Sequence, residues 1–172
     1  ELAPFAKFNS VSFEENKSKV IGMISNTNEK LKAFAKNDHF STYVYILSNK
    51  TTPDASISYE NWEAGNKILG NYFLESDDIG KFRPLELNYD KLRVSFDKGC
   101  YRGQEIVARM KYLGIDRRSF LTFIASNEFD ANEDIKIVGQ KIEIEDKLVF
   151  NGIVKKDLIP DIQNDPQILK II

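Results

Sequence analysis

The chain has 172 residues, enough for one domain of ordinary size or two small ones, and its 24 basic and 26 acidic side chains leave a net charge of −2. That balance excludes a basic nucleic-acid-binding domain and an acidic disordered tail, so no direct nucleic-acid partner is expected. One cysteine allows no internal disulfide, and it cannot supply the roughly four thiolates that hold an iron–sulfur cluster.

No apolar run approaches the ~20 residues that cross a bilayer, so no membrane partner is expected, and the single thiol points to the cytoplasm, or the mitochondrial matrix of a eukaryote. The opening stretch Glu1 to Phe8 carries Leu2, Phe5 and Phe8 at helical spacing without a capping residue. It is expected to be the end of a helix that begins upstream. Val11–Phe13 and Lys19–Met23 are apolar and rich in β-branched residues, which predicts two short strands. Asn28 caps a predicted helix with Leu31, Phe34 and Ala35 on one face, and Tyr43–Leu47 follows as a strand, so a βαβ unit is expected.

Pro53 marks a loop, and Tyr59–Leu69 predicts a helix with Trp62 and Leu69 on one face, ended by Gly70. Residues 71–84 are polar and irregular, and Asp77-Asp78 has no second acidic cluster at ligand spacing, so a solvated loop is expected and no metal site. His39, the only histidine, follows Lys36-Asn37-Asp38, where it suits the end of a helix. Leu92, Val94 and Phe96 alternate with polar residues as in a half-buried strand. Beyond Gly103, Ile106, Met110 and Leu113 recur at helical spacing up to Gly114. After Arg117-Arg118 come five short β segments with no helix between them, and a small barrel or sandwich is expected, with a domain boundary near Asp116.

The sequence KGCYRGQEIVAR, residues 98–109, sets the lone Cys100 between Lys98 and Arg102 and just before a helix start. Cations and a helix N-terminus both favour a thiolate, and Gly99 and Gly103 allow a tight turn or a ligand's close approach. The plainer alternative is a small buried hydrophobe, the commoner fate of a lone cysteine. The string Ser95-Phe96-Asp97-Lys98 matches S-x-x-K but lacks the companion motifs of the serine acyl enzymes.

KGCYRGQE resembles the signature K-G-C-Y-x-G-Q-E of the YgfZ family of folate-binding proteins, relatives of the glycine-cleavage T-protein (aminomethyltransferase) that act in iron–sulfur cluster synthesis and repair. Gly80, Phe82, Pro84 and Asn88 resemble the G-x-F-x-P run that precedes it, and the β-rich tail is similar to the family's C-terminal barrel. The resemblance implies an α+β chain. Residues 1–116 would be the second half of a T-protein-like folate-binding α/β domain, and residues 117–172 a small all-β barrel. It implies functional roles for Cys100, Lys98, Tyr101, Gln104, Glu105 and Arg109, and cofactor contacts from Asn88, Gly99 and Gly103. The implied cofactor is tetrahydrofolate, and the implied partners are iron–sulfur proteins or cluster-assembly factors. An accessory protein is expected rather than a conventional enzyme. The alternatives are an aminomethyltransferase-like one-carbon transferase and a degenerate scaffold that has lost folate.

Overall fold

The computed structural model describes residues 18–26, 33–47, 56–114, 117–130 and 132–172. The expected helix at Glu1–Phe8, the strand Val11–Phe13, the helix start at Asn28 and Leu31, the turn at Pro53 and the boundary at Asp116 lie outside them.

The chain is a mixed α and β structure with two antiparallel sheets. The first has the order β1-β3-β2, with β1 at Lys19–Ser25, β2 at Ala35–Lys36 and β3 at Ser41–Leu47. The βαβ expectation is corrected, because β1 and β3 pair antiparallel, Lys19 opposite Leu47. Phe34 and Ala35 are not helical either. The Phe34 amide donates to the Thr42 carbonyl at 2.7 Å, and Asn37 Oδ1 accepts from the amides of His39 and Phe40. This side-chain-stabilised turn closes a β2–β3 hairpin, so His39 lies in a turn and caps no helix. One face of the sheet leaves Val20, Val44 and Ile46 exposed.

Helix α1 spans Tyr59–Ile68, and Ser58 caps it by accepting from the Asn61 amide. Gly70 follows with φ +65°, a stop signal that the sequence carries openly. Trp62 packs on β1 where only a glycine fits, since a Cβ at Gly22 would lie 2.7 Å from the indole. Helix α2, Tyr89–Leu92, and helix α3, Gln104–Tyr112, complete this half of the chain. The predicted strand around Leu92–Phe96 is absent. Asn88 adopts the left-handed conformation, φ 53°, and starts α2, whose end takes the amides of Arg93 and Val94 onto the Tyr89 carbonyl. Without a partner strand among the described residues, alternation of apolar and polar residues cannot make a ladder.

The second sheet has four strands in the order β5-β6-β4-β7, formed by β4 Arg118–Ser126, β5 Lys136–Ile144, β6 Lys147–Lys155 and β7 Ile168–Ile171. It stays open, with no closed barrel among the described residues. Two of the five expected β segments fuse into β5 across a register shift between Val138 and Ile142, where Gly139 has φ +68°. A short helix α4, Ile159–Gln163, also occupies a stretch read as helix-free. Its five residues are too few to show a period.

Both faces of this sheet are covered. One face carries Phe123, Ala125, Phe150 and Val154 against Phe129 and Ile162. Phe150 stacks between Phe123 and Phe129, with ring centroids 5.3 and 5.2 Å away. The opposite face packs Ile142 and Val149 against Ala64 of α1, and Phe120, Val138 and Ile153 against Tyr72 and Leu87. Burial on both sides explains why β6 is a nearly unbroken apolar run. Its exception, Asn151, is fully buried. Asn151 Nδ2 donates to Thr122 Oγ1 at 2.8 Å and to the Lys67 carbonyl at 3.2 Å, and Thr122 Oγ1 donates to the same carbonyl at 2.5 Å. These bonds fasten the end of α1 to the centre of the sheet. Thr122→Val keeps the shape and removes the hydroxyl, so it is expected to cost about 1–3 kcal/mol, read as a lowered urea midpoint with unchanged m.

Candidate functional site

Cys100 is exposed, in an irregular segment between α2 and α3. The buried-hydrophobe reading of the thiol is thereby overturned. Among the described residues the thiol has no hydrogen-bond partner, and no amide from Ser95 to Gly103 donates to a backbone carbonyl. The cysteine faces solvent.

The loop is firmly held at its two ends. A hydrogen-bond chain runs to its foot from α1: Asn71 Nδ2 donates to Asn66 Oδ1 at 2.8 Å, and Arg93 Nη2 donates to Asn71 Oδ1 at 2.9 Å. The Arg93 guanidinium also lies over the rings of Phe73 and Tyr89, at 4.1 and 5.1 Å, and Tyr89 Oη donates to the Tyr72 carbonyl. Just inside the loop, Phe96 meets Tyr112 of α3 edge-on, and Lys111 Nζ sits 3.8 Å from the Phe96 ring centre. Val107 is buried and seats α3.

The structure unites some of the signature residues and separates others. Lys98 Nζ lies 4.7 Å from the centre of the Tyr101 ring. Glu105 and Arg109 form an exposed i,i+4 ion pair at 2.6 Å, worth about 0.3–0.5 kcal/mol. Gln104 is half-buried in the first turn of α3. Gly103, φ +89°, starts that helix in a conformation that suits glycine, and the space around both Gly99 and Gly103 is open. Asn88 stands apart, its amide donating to the Phe120 carbonyl at 3.2 Å.

The fit to tetrahydrofolate can be tested on these residues. Asn88 is committed to a backbone carbonyl, and nothing approaches Gly99 or Gly103 within 4 Å of where a Cβ would stand. Among the described residues these three do not enclose a ligand.

A buried ionisable cluster lies beneath the foot of the loop, and no motif announced it. Lys67 is 5% exposed and Asp78 8% exposed, and Tyr72 Oη donates to Asp78 Oδ2. Asp78 is therefore no solvated loop residue. Burial pulls the Lys67 ammonium below the usual lysine value, and the carboxylates of Glu75, Glu63 and Asp78 offset part of that shift. Burial, together with Asp78, pushes the Tyr72 phenol far above its ordinary value. Polar residues in the otherwise apolar surroundings of Ile68 and Tyr72 were the available sequence signal.

The site is thus a single accessible thiol on a loop clamped between short helices, carried by an α+β scaffold. No protein-family model matches the chain. It is 31% identical to an uncharacterized protein of Haemophilus influenzae over 152 residues, covering 84% of this chain and 51% of that protein. It is 30% identical to the tRNA-modifying protein YgfZ of Escherichia coli SMS-3-5 over 146 residues, covering 73% of this chain and 45% of the relative. For the protein of that name from E. coli O157:H7 the figures are 31% over 132 residues, 67% and 40%. The chain belongs to the YgfZ family and spans about half the length of the curated relatives it matches.

Two outcomes follow from this geometry. Ellman's reagent is expected to titrate the chain's one thiol without denaturant, at a rate that urea does not accelerate. Between the lowered folded value of Lys67 and ~10.4, the unfolded chain holds more protons than the folded one. Stability therefore rises with pH across that window, and the raised Tyr72 reverses the trend above about pH 10. Urea unfolding from roughly pH 7 to 11 is expected to show the rise in the parent chain and none in Lys67→Met.

Proposed function

We propose that this chain is the thiol-bearing part of an accessory protein that supports iron–sulfur proteins. The observation that carries the reading is the exposure of Cys100 in a loop whose amides donate no backbone hydrogen bond and whose two ends are fixed. Such a loop presents one sulfur to a second protein without forming a pocket around it.

The chemistry open to one thiol is exchange. The Cys100 thiolate attacks a sulfur of a partner disulfide or persulfide, a mixed disulfide forms, and the displaced sulfur leaves as thiolate or sulfide. A second thiol, supplied by the partner, attacks the mixed disulfide and returns Cys100 to its starting state. The chain undergoes no net oxidation or reduction. Lys98 and Arg102 place positive charge in the same loop.

The relatives' name adds a destination. Carried to this chain, it makes the supported iron–sulfur proteins those that modify tRNA. Tetrahydrofolate enters only as the cofactor that the family resemblance implies.

The test is complementation of cells that lack the gene, with full-length protein carrying Cys100→Ala or Lys98→Ala. Iron–sulfur enzyme activity and modified tRNA nucleosides are measured together. Cys100→Ala is expected to restore less than about a tenth of both, and Lys98→Ala an intermediate level. Full restoration by Cys100→Ala sinks the role given to the thiol.

A further inference from the structure

A second site stands on observations unrelated to Cys100. A cleft of about 770 Å³ opens between the turn at residues 80–86, the end of α3 and the start of β4. Six cationic side chains line it: Lys81, Arg83, Arg109, Arg117, Arg118 and Lys136. Glu86 is the only acid among its lining residues. In a chain whose net charge is −2, that asymmetry belongs to the fold, which gathers cations from four separate segments.

The charges are only partly neutralised from within. Glu86 is shared, accepting from the Arg83 amide at 2.9 Å and lying 3.4 Å from Arg118 Nη1. Arg109 is paired with Glu105 at 2.6 Å, and Lys136 Nζ sits 4.4 Å from the Phe82 ring centre. Lys81, Arg83 and Arg117 have no carboxylate partner among the described residues. Like charges crowded this way repel one another unless an anion joins them, and clefts focus such fields.

We propose that this cleft binds a run of adjacent phosphate groups. Four of the six cations are arginines, whose planar forks match phosphate oxygens in pairs. The volume lies within the roughly 300–1,000 Å³ of ligand sites, and the usual apolar lining is here replaced by cations, which calls for a compact polyanion. A free oligophosphate and the backbone of single-stranded RNA share that chemistry. An acidic peptide delivers its charge less densely.

The experiment measures binding of the full chain to three probes: inorganic tripolyphosphate, a labelled single-stranded RNA of roughly 12 nucleotides, and an oligoglutamate peptide. Salt is varied between about 50 and 200 mM. Tripolyphosphate binding that displaces RNA identifies a free oligophosphate site, and RNA binding that tripolyphosphate competes weakly identifies the backbone; either supports the proposal. Arg83→Ala with Arg117→Ala is expected to weaken binding at least about tenfold and, for RNA, to lower the salt slope by about 1.4. Arg83→Lys with Arg117→Lys, which keeps the charge, is expected to keep that slope, and urea midpoints verify folding of both. Binding of neither phosphate probe, equal or tighter binding of oligoglutamate, or affinity unchanged in the alanine variant overturns the proposal.

Discussion

The carbonyl of Lys67 accepts from two side chains at the centre of the buried sheet, Thr122 and Asn151, and the rest of the structure hangs on that junction. It joins the last turn of α1 to neighbouring strands β4 and β6, in which Thr122 and Asn151 are direct partners. A lost bond here would strand a buried carbonyl or amide, so the junction resists both sliding of the helix and slippage of the strands. It also explains how Lys67 comes to be buried, since its backbone is held against the sheet while its ammonium rests over the Tyr72 ring, 5.2 Å from its centre.

From that junction order propagates outward through polar contacts. Asn66, one residue before Lys67, begins the relay through Asn71 to Arg93, and Arg93 stands at the foot of the thiol loop. The apolar cluster of Tyr72, Leu87, Phe120, Val138 and Ile153 fixes the same region from below. The loop itself takes no share in these bonds. Cys100 is consequently positioned by its frame and left chemically available, which is the arrangement that exchange with an external partner needs.

Much of this was legible in the sequence where local chemistry dominates. Lys19–Met23, Tyr43–Leu47, the helix ended by Gly70 and the helix between Gly103 and Gly114 all appear, because a strand run or a helix with a glycine stop is decided by neighbouring residues. Failures arose where distant partners decide. Phe34 and Ala35 have helical spacing with Leu31, yet the Asn37 turn and pairing to Thr42 win. Val94 and Phe96 alternate as in a strand but have no strand to pair with among the described residues. Closure of the tail into a barrel depends on its edges β5 and β7 meeting, a matter of twist and length that residue patterns do not encode. At the site, the signature motif located Cys100 and the helix after it. The buried Lys67, Tyr72 and Asp78 escaped because burial of a charge depends on the packed surroundings. Asn151, a single amide inside LVFNGIV, was the visible trace of the central junction.

A sharp boundary separates the locked frame from a thiol loop whose amides donate no backbone hydrogen bond, and native-state hydrogen exchange measures both sides of it in one experiment. The amides of residues 121–123 and 150–152 are expected to exchange only through global unfolding, and those of residues 95–102 far faster, without unfolding. Protection of the Cys100 loop equal to that of the sheet would contradict the account, because the thiol would then be part of the frame it is said to stand on.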